Sequence, residues 1–245
     1  MATILKMTIV YNTIITLISW LIIYLIEKRN IFKAWIEPTK KRFKEFIKGF
    51  SLMAILCVIT QLILSMSSNI TWKLSNDLNI KKLLSSIYYD INSVLFEEFL
   101  FRGVLLYLLI KYLNSRSGVL ISSIAFGIYH WYANGVLGNL PAMTLVFLVT
   151  GFMGYVFATS YDKTKSLILP IGLHLGWNLT NHNIFSNGPN GIMILQVNGQ
   201  LEVSNSHQLI SFGLYMITIT GALLFVKSKY ITKQERTIAN NVYSK

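Results

Sequence analysis

The chain has 245 residues, of which 53% are hydrophobic and only 13% charged. An average soluble domain carries about 25% charged residues, so this composition points to a polytopic membrane protein. With 4 Pro, 15 Gly and a single Cys, Cys57, it excludes collagen-like structure, disorder and an internal disulfide scaffold. The net charge of +12 comes without a nucleic-acid-binding motif, and its basic residues gather between apolar runs, where membrane topology accounts for them.

Seven apolar runs follow along the chain: Met7–Ile26, Ile47–Met66, Ile87–Ile110, Gly118–Trp131, Leu140–Ser160, Ser166–Ile184 and Leu209–Val226. A helix needs about 20 residues to cross the hydrocarbon core. The expected fold class is therefore all-α, a transmembrane helix bundle of about seven spans. The first run is too long for a signal peptide, is not followed by a small-x-small site, and reads as an uncleaved anchor.

Loop charges set the orientation. Lys28, Arg29, Lys33, Lys40, Lys41, Arg42 and Lys44 make the first loop cytoplasmic. Alternation then places Lys111 and Arg116, Lys163 and Lys165, and the tail with Lys227, Lys229, Lys233 and Arg236 on the same side. The N-terminus is predicted outside and the C-terminus cytoplasmic. Ser67–Tyr88, with Lys73, Lys81 and Lys82, departs from this pattern, and an interfacial helix is expected over Ile80–Tyr88. In the last external loop, Ile192–Val197 and Gln200–Val203 flank Asn198-Gly199, which predicts a hairpin with a type I′ turn. Residues 1–245 read as a single membrane-embedded domain, with the motif-bearing core at about 87–184.

Ionisable groups inside the spans carry the functional signal. Of 7 Glu and 3 Asp, all but two fall in loops or near span ends, Asp90 among these. The two are Glu97 and Glu98, adjacent in the third span. A charge at mid-membrane costs at least about 2.5–3.5 kcal/mol, and such residues face a bundle interior or a watery cavity. Arg102 stands four residues after Glu98, in the favourable order for a helical ion pair. Glu97 lies about 100° round the helix, outside that pairing.

His130 and His174 also lie in spans. His174 and Asn178 are four residues apart and share a helical face, which His182, near the span end, could extend. Cys57 reads as a small packing residue. A buried carboxylate can take a proton from water, a His can share or donate it, and an Asn amide can hold an oxyanion. That set suffices for amide hydrolysis. Two His and a Glu would equally hold zinc with one position left for water. Spacing alone leaves both open. The sequence lacks an H-E-x-x-H motif, an intramembrane Asp pair and a G-x-S-G motif.

Three motifs stand in order: Glu97-Glu98-Phe99-Leu100-Phe101-Arg102 as E-E-x-x-x-R, Phe126-Gly127-Ile128-Tyr129-His130 as F-x-x-x-H, and His174-Leu175-Gly176-Trp177-Asn178 as H-x-x-x-N. Together they resemble the CPBP family of CAAX proteases and bacteriocin-processing enzymes, also called Abi. The resemblance covers about Ile87 to His182. It implies an intramembrane endopeptidase with a cavity reached from the cytosol or the bilayer. Carried over by position, Glu97 is the base, His130 assists it, His174 and Asn178 hold the oxyanion, and Glu98 and Arg102 support the motif. A metal-free mechanism is favoured, because Asn178 suits an oxyanion hole better than a zinc site. The zinc alternative would use Glu97, His130 and His174.

CAAX enzymes of this family are typically described with eight spans, one more than the seven read here. The resemblance implies a membrane-associated peptide or protein as substrate and a bacterial plasma membrane as location. Bacteriocin immunity, peptide-signal processing and envelope functions are the roles of its bacterial members. The alternatives are a non-catalytic immunity or scaffolding protein of the same fold, and a transporter using Glu97 and His130 as a proton relay.

Overall fold

The computed structural model describes residues 2–28, 31–67, 70–76, 78–189, 191, 193–198 and 205–230. Helices dominate: α1 (Ala2–Glu27), α2 (Ile31–Ile36), α3 (Thr39–Ser67), α4 (Ile80–Glu98), α5 (Leu106–Tyr112), α6 (Ser115–Ala133), α7 (Leu140–Thr164), α8 (Ile168–Leu179) and α9 (Asn205–Lys229). Among the described residues α3, α7 and α9 are long and apolar enough to cross a membrane. Their exposed surface is correspondingly apolar, with Ile55, Ile59, Leu145, Leu148, Ile217 and Leu224 facing outward.

Asparagines set the helix starts. The side chains of Asn79, Asn114 and Asn139 accept the backbone N–H of Lys82, Ser117 and Ala142, satisfying donors that the first turn leaves free. Two helices change pitch where the motifs lie. A π-helical segment, Phe99–Leu105, joins α4 to α5 into one continuous rod. A second, Thr180–Ile184, extends α8. Such segments insert an extra residue into the turn and frequently mark functional sites.

The expected interfacial helix over Ile80–Tyr88 is instead the first part of α4, because nothing breaks the helix between Asn79 and the third span. The first strand of the expected hairpin finds a partner elsewhere in the chain. β2 (Leu195–Asn198) pairs antiparallel with β1 (Thr71–Leu74), Thr71 opposite Asn198 and Leu74 opposite Leu195. The loop before α4 thus supplies the partner strand, while Gln200–Val203 lies outside the described residues. This small sheet is an addition to the all-α expectation.

Glycines set the tightest packing. α8 lies against α3, and a Cβ at Gly172 would stand 2.6 Å from the Phe46 carbonyl oxygen. At Gly176 it would run into the Phe50 carbonyl. Gly172 and Gly176 form a small-x-x-x-small stripe that lets two backbones touch, the usual substitute for hydrophobic driving force inside a bilayer. With one face of α8 pressed on α3, another carries His174 toward α4. Cys57 is fully buried on α3.

Candidate active site

Glu97 and Glu98 close α4, both buried. Their neighbours divide their roles. Glu98 is fully buried, and its Oε1 accepts from Arg102 Nη1 at 3.2 Å and from His174 Nδ1 at 2.8 Å. Arg102, also fully buried, donates its Nη2 to the Gly154 carbonyl at 3.1 Å. Its guanidinium lies over the Phe126 ring, 4.2 Å from the centroid. Gly154 makes this possible: a Cβ there would stand 2.9 Å from the Phe126 ring. The Arg102 charge is thus neutralised by a carboxylate, a carbonyl dipole and an aromatic face.

Glu97 sits on the other side of the helix. Its Oε1 accepts from Ser93 Oγ at 3.3 Å. Its Oε2 is buried and has no hydrogen-bond partner among the described residues. Two imidazole nitrogens face that oxygen, His130 Nε2 and His174 Nε2, each at 3.8 Å.

Both rings are fixed from behind. His130 Nδ1–H donates to the Phe126 carbonyl at 2.8 Å. The F-x-x-x-H motif is therefore physical: Phe126 holds His130 through its carbonyl and Arg102 through its ring. His174 Nδ1–H donates to Glu98, and its ring stacks on Phe157, with centroids 4.7 Å apart. With each Nδ1 serving as donor, each Nε2 presents a lone pair in the neutral imidazole. Three acceptors (Glu97 Oε2 and two Nε2 atoms) converge with no donor between them. That space suits a species with two hydrogens to give or positive charge to share, which is a water molecule or a cation.

Asn178 lies one turn beyond His174 on α8. It is half-buried, and its amide makes no hydrogen bond among the described residues. The structure so brings Glu97, His130 and His174 to one point, with Glu98 and Arg102 behind them. His182 does not join this group. It lies in the π-helical segment after α8 and contacts Asp90 instead.

Asp90 has surroundings that the sequence reading did not foresee. It is fully buried on α4, its carboxylate taken by His182 and Asn183. The available signal was spacing, since Asp90 stands seven residues before Glu97 and so on the same helical face. Ser93, one turn before Glu97, was also missed.

The donor set also suits zinc, which takes two imidazoles and a carboxylate and leaves a fourth position open. Ligand atoms around a tetrahedral zinc stand about 3.4 Å apart, so the 3.8 Å separations would close by a few tenths of an ångström. As they stand, these side chains do not close a metal-binding cluster among the described residues.

Residues 79–180 match the family model described as type II CAAX prenyl endopeptidase Rce1-like. That segment is similar to Rce1-like domains. It starts at the Asn79 cap of α4 and ends at Thr180, just past α8, so it contains all three motifs. The resemblance to CAAX proteases is thereby borne out over this part of the chain. No curated protein and no solved structure matches the sequence. This match and the apolar helices point to a membrane-embedded protein.

Proposed function

We propose that this protein is an intramembrane endopeptidase in which Glu97 activates water. The observation that carries the reading is the convergence of His130 Nε2 and His174 Nε2 on the otherwise unpartnered Oε2 of Glu97. A water in that space would donate one hydrogen to Glu97 and the other to an imidazole. Glu97 takes the proton as the oxygen attacks the scissile carbonyl. The carbonyl oxygen becomes an oxyanion, and the Asn178 amide, with no other described partner, is the donor to stabilise it. As the C–N bond breaks, the proton held by Glu97 passes to the leaving amine, relayed by an imidazole Nε2 of the pair, and Glu97 is again a carboxylate.

Glu98 and Arg102 act behind the reacting atoms. Glu98 fixes the tautomer and direction of His174, and Arg102 holds Glu98 in place through its own hydrogen bond. We assign the metal-free form of this chemistry, on the free Asn178 amide. In the zinc form, Glu97, His130 and His174 would hold the ion, which would supply Lewis acidity to water and carbonyl.

The substrate class is a membrane-associated protein or peptide presented from the bilayer, on the Rce1-like match. The chain crosses the membrane about seven times as one domain, N-terminus outside and C-terminus cytoplasmic, on the charge of its loops. A bacterial plasma membrane is the assigned location. The scaffolding alternative explains Glu98 and Arg102 but gives no reason for two imidazoles aimed at the free Oε2 of Glu97.

The test is cleavage of a farnesylated, fluorescence-quenched CAAX peptide by purified protein in liposomes. The wild type should cut and Glu97→Gln should not. A well-folded wild type that leaves this peptide and a panel of unprenylated membrane peptides intact would sink the reading.

A further inference from the structure

One buried acid has no part in the chemistry above. Asp90 is fully buried on α4, and both its oxygens are engaged: Oδ1 accepts from His182 Nδ1 at 2.8 Å and Oδ2 from Asn183 Nδ2 at 2.7 Å. This contact repeats that between Glu98 and His174 at the same 2.8 Å, two turns earlier on α4 and two turns later along α8 and its π-helical extension. His182 is pinned from a second side. The chain turns back over it so closely that a Cβ at Gly188 would stand 2.5 Å from His182 Cβ and 2.6 Å from its Cγ. That turn is itself tied down, by Asn187 N–H on the Asn181 carbonyl at 3.0 Å and Met193 N–H on Ser186 Oγ at 2.7 Å.

The result is an imidazole of fixed direction whose Nε2 has no partner among the described residues. The His182 side chain is 20% exposed, against 1% for Asp90. Burying a carboxylate to orient a half-open imidazole is a costly way to pack two helices, since an apolar pair of similar volume does it as well or better.

We infer that His182 binds the substrate: its Nε2 accepts a main-chain N–H of the peptide about three residues from the scissile bond, with Asp90 and Asn183 as its positioning residues. The inference rests on the peptidase reading above. Distance supports it. Seven residues of α4 separate Asp90 from Glu97, about 10 Å along the axis. An extended peptide covers about 3.3 Å per residue, so three residues span that gap. Asn178 lies between His174 and His182 in sequence, four residues from each. With Nδ1–H given to Asp90, Nε2 is the acceptor, and the carboxylate behind the ring strengthens it. An extended peptide at this depth must satisfy its own N–H groups, and His182 meets that need.

The experiment uses the full-length protein in liposomes and the farnesylated CAAX peptide, together with peptides in which single backbone amides are replaced by esters. His182→Ala should raise KM about tenfold with little change in kcat, the loss of one hydrogen bond to bound substrate. One ester, three residues from the cleaved bond, should cost the wild type the same factor and cost His182→Ala nothing more. His182→Gln, which retains an acceptor, should recover part of the affinity. Asp90→Asn should raise KM by a smaller factor. Unchanged KM in His182→Ala overturns the inference, and so do equal ester losses in wild type and variant. Loss of folding in both His182 variants also overturns it, because the residue is then structural. If the wild type cuts none of these peptides, the peptidase reading falls and this inference with it. If it cuts and only the His182 results fail, the peptidase reading stands.

Discussion

His174 donates its Nδ1–H to Glu98 across 2.8 Å, so the second nitrogen of the same ring is fixed toward the neighbouring carboxylate. Two adjacent glutamates thereby receive different work. Glu98 orients, and Glu97 faces the two Nε2 atoms with an oxygen left over.

Glu97→Gln keeps the volume and the Ser93 contact while removing the base. Peptide cleavage should fall by about 10²–10⁴-fold, the usual share of general-base assistance. The melting temperature in detergent should stay near that of the wild type. Wild-type cleavage by this variant would falsify the assignment of Glu97.

Glu98→Gln should behave differently. It leaves the fully buried Arg102 without its counter-ion, and stranding a buried charge costs about 3–5 kcal/mol. The expected outcome is a large drop in melting temperature and in yield of folded protein. Glu98→Gln combined with Arg102→Gln removes the stranded charge and should regain much of the stability. A single variant as stable as wild type would show that the pair is not the anchor described here.

Asn178→Ala tests the oxyanion donor. Because the amide has no other described partner, thermal stability should hardly move. Loss of one preorganised donor lowers kcat by about 10²–10³-fold in comparable sites. Full activity in this variant would remove Asn178 from the mechanism.

Gly176→Val probes the scaffold under the site. Its side chain would be driven into the Phe50 carbonyl, forcing α8 off α3. Overpacking of this kind costs about 1–3 kcal/mol, read as a lower melting temperature. Cleavage should fall too, because α8 carries both His174 and Asn178. The same change at Gly213, where a Cβ meets nothing within 4 Å, is the control and should be tolerated.

Metal dependence has its own measurement. Cleavage should survive chelation, and purified active protein should hold less than one zinc per chain. Activity lost to chelator and restored by zinc would assign Glu97, His130 and His174 as ligands.

Much of the site was legible because the bilayer makes ionisable groups conspicuous. Glu97, Glu98, Arg102, His130 and His174 stand out in apolar runs, where each needs a partner or a purpose. The ion pair of Glu98 and Arg102 followed from spacing alone, since one helix fixes residues four apart on neighbouring turns. Likewise the apolar runs became helices, because a chain in lipid must satisfy its own backbone.

What the sequence could not determine are relations between helices distant along the chain. That His174 reaches Glu98, 76 residues away, depends on the glycine stripe that presses α8 onto α3. That Asp90 is buried depends on His182 and Asn183 arriving from the π-helical segment after α8. That the strand at Leu195–Asn198 pairs with Thr71–Leu74, more than a hundred residues earlier, is a relation of the same kind. Local periodicity specifies which face of a helix is special. Only the packing of that face against another element decides which groups meet there.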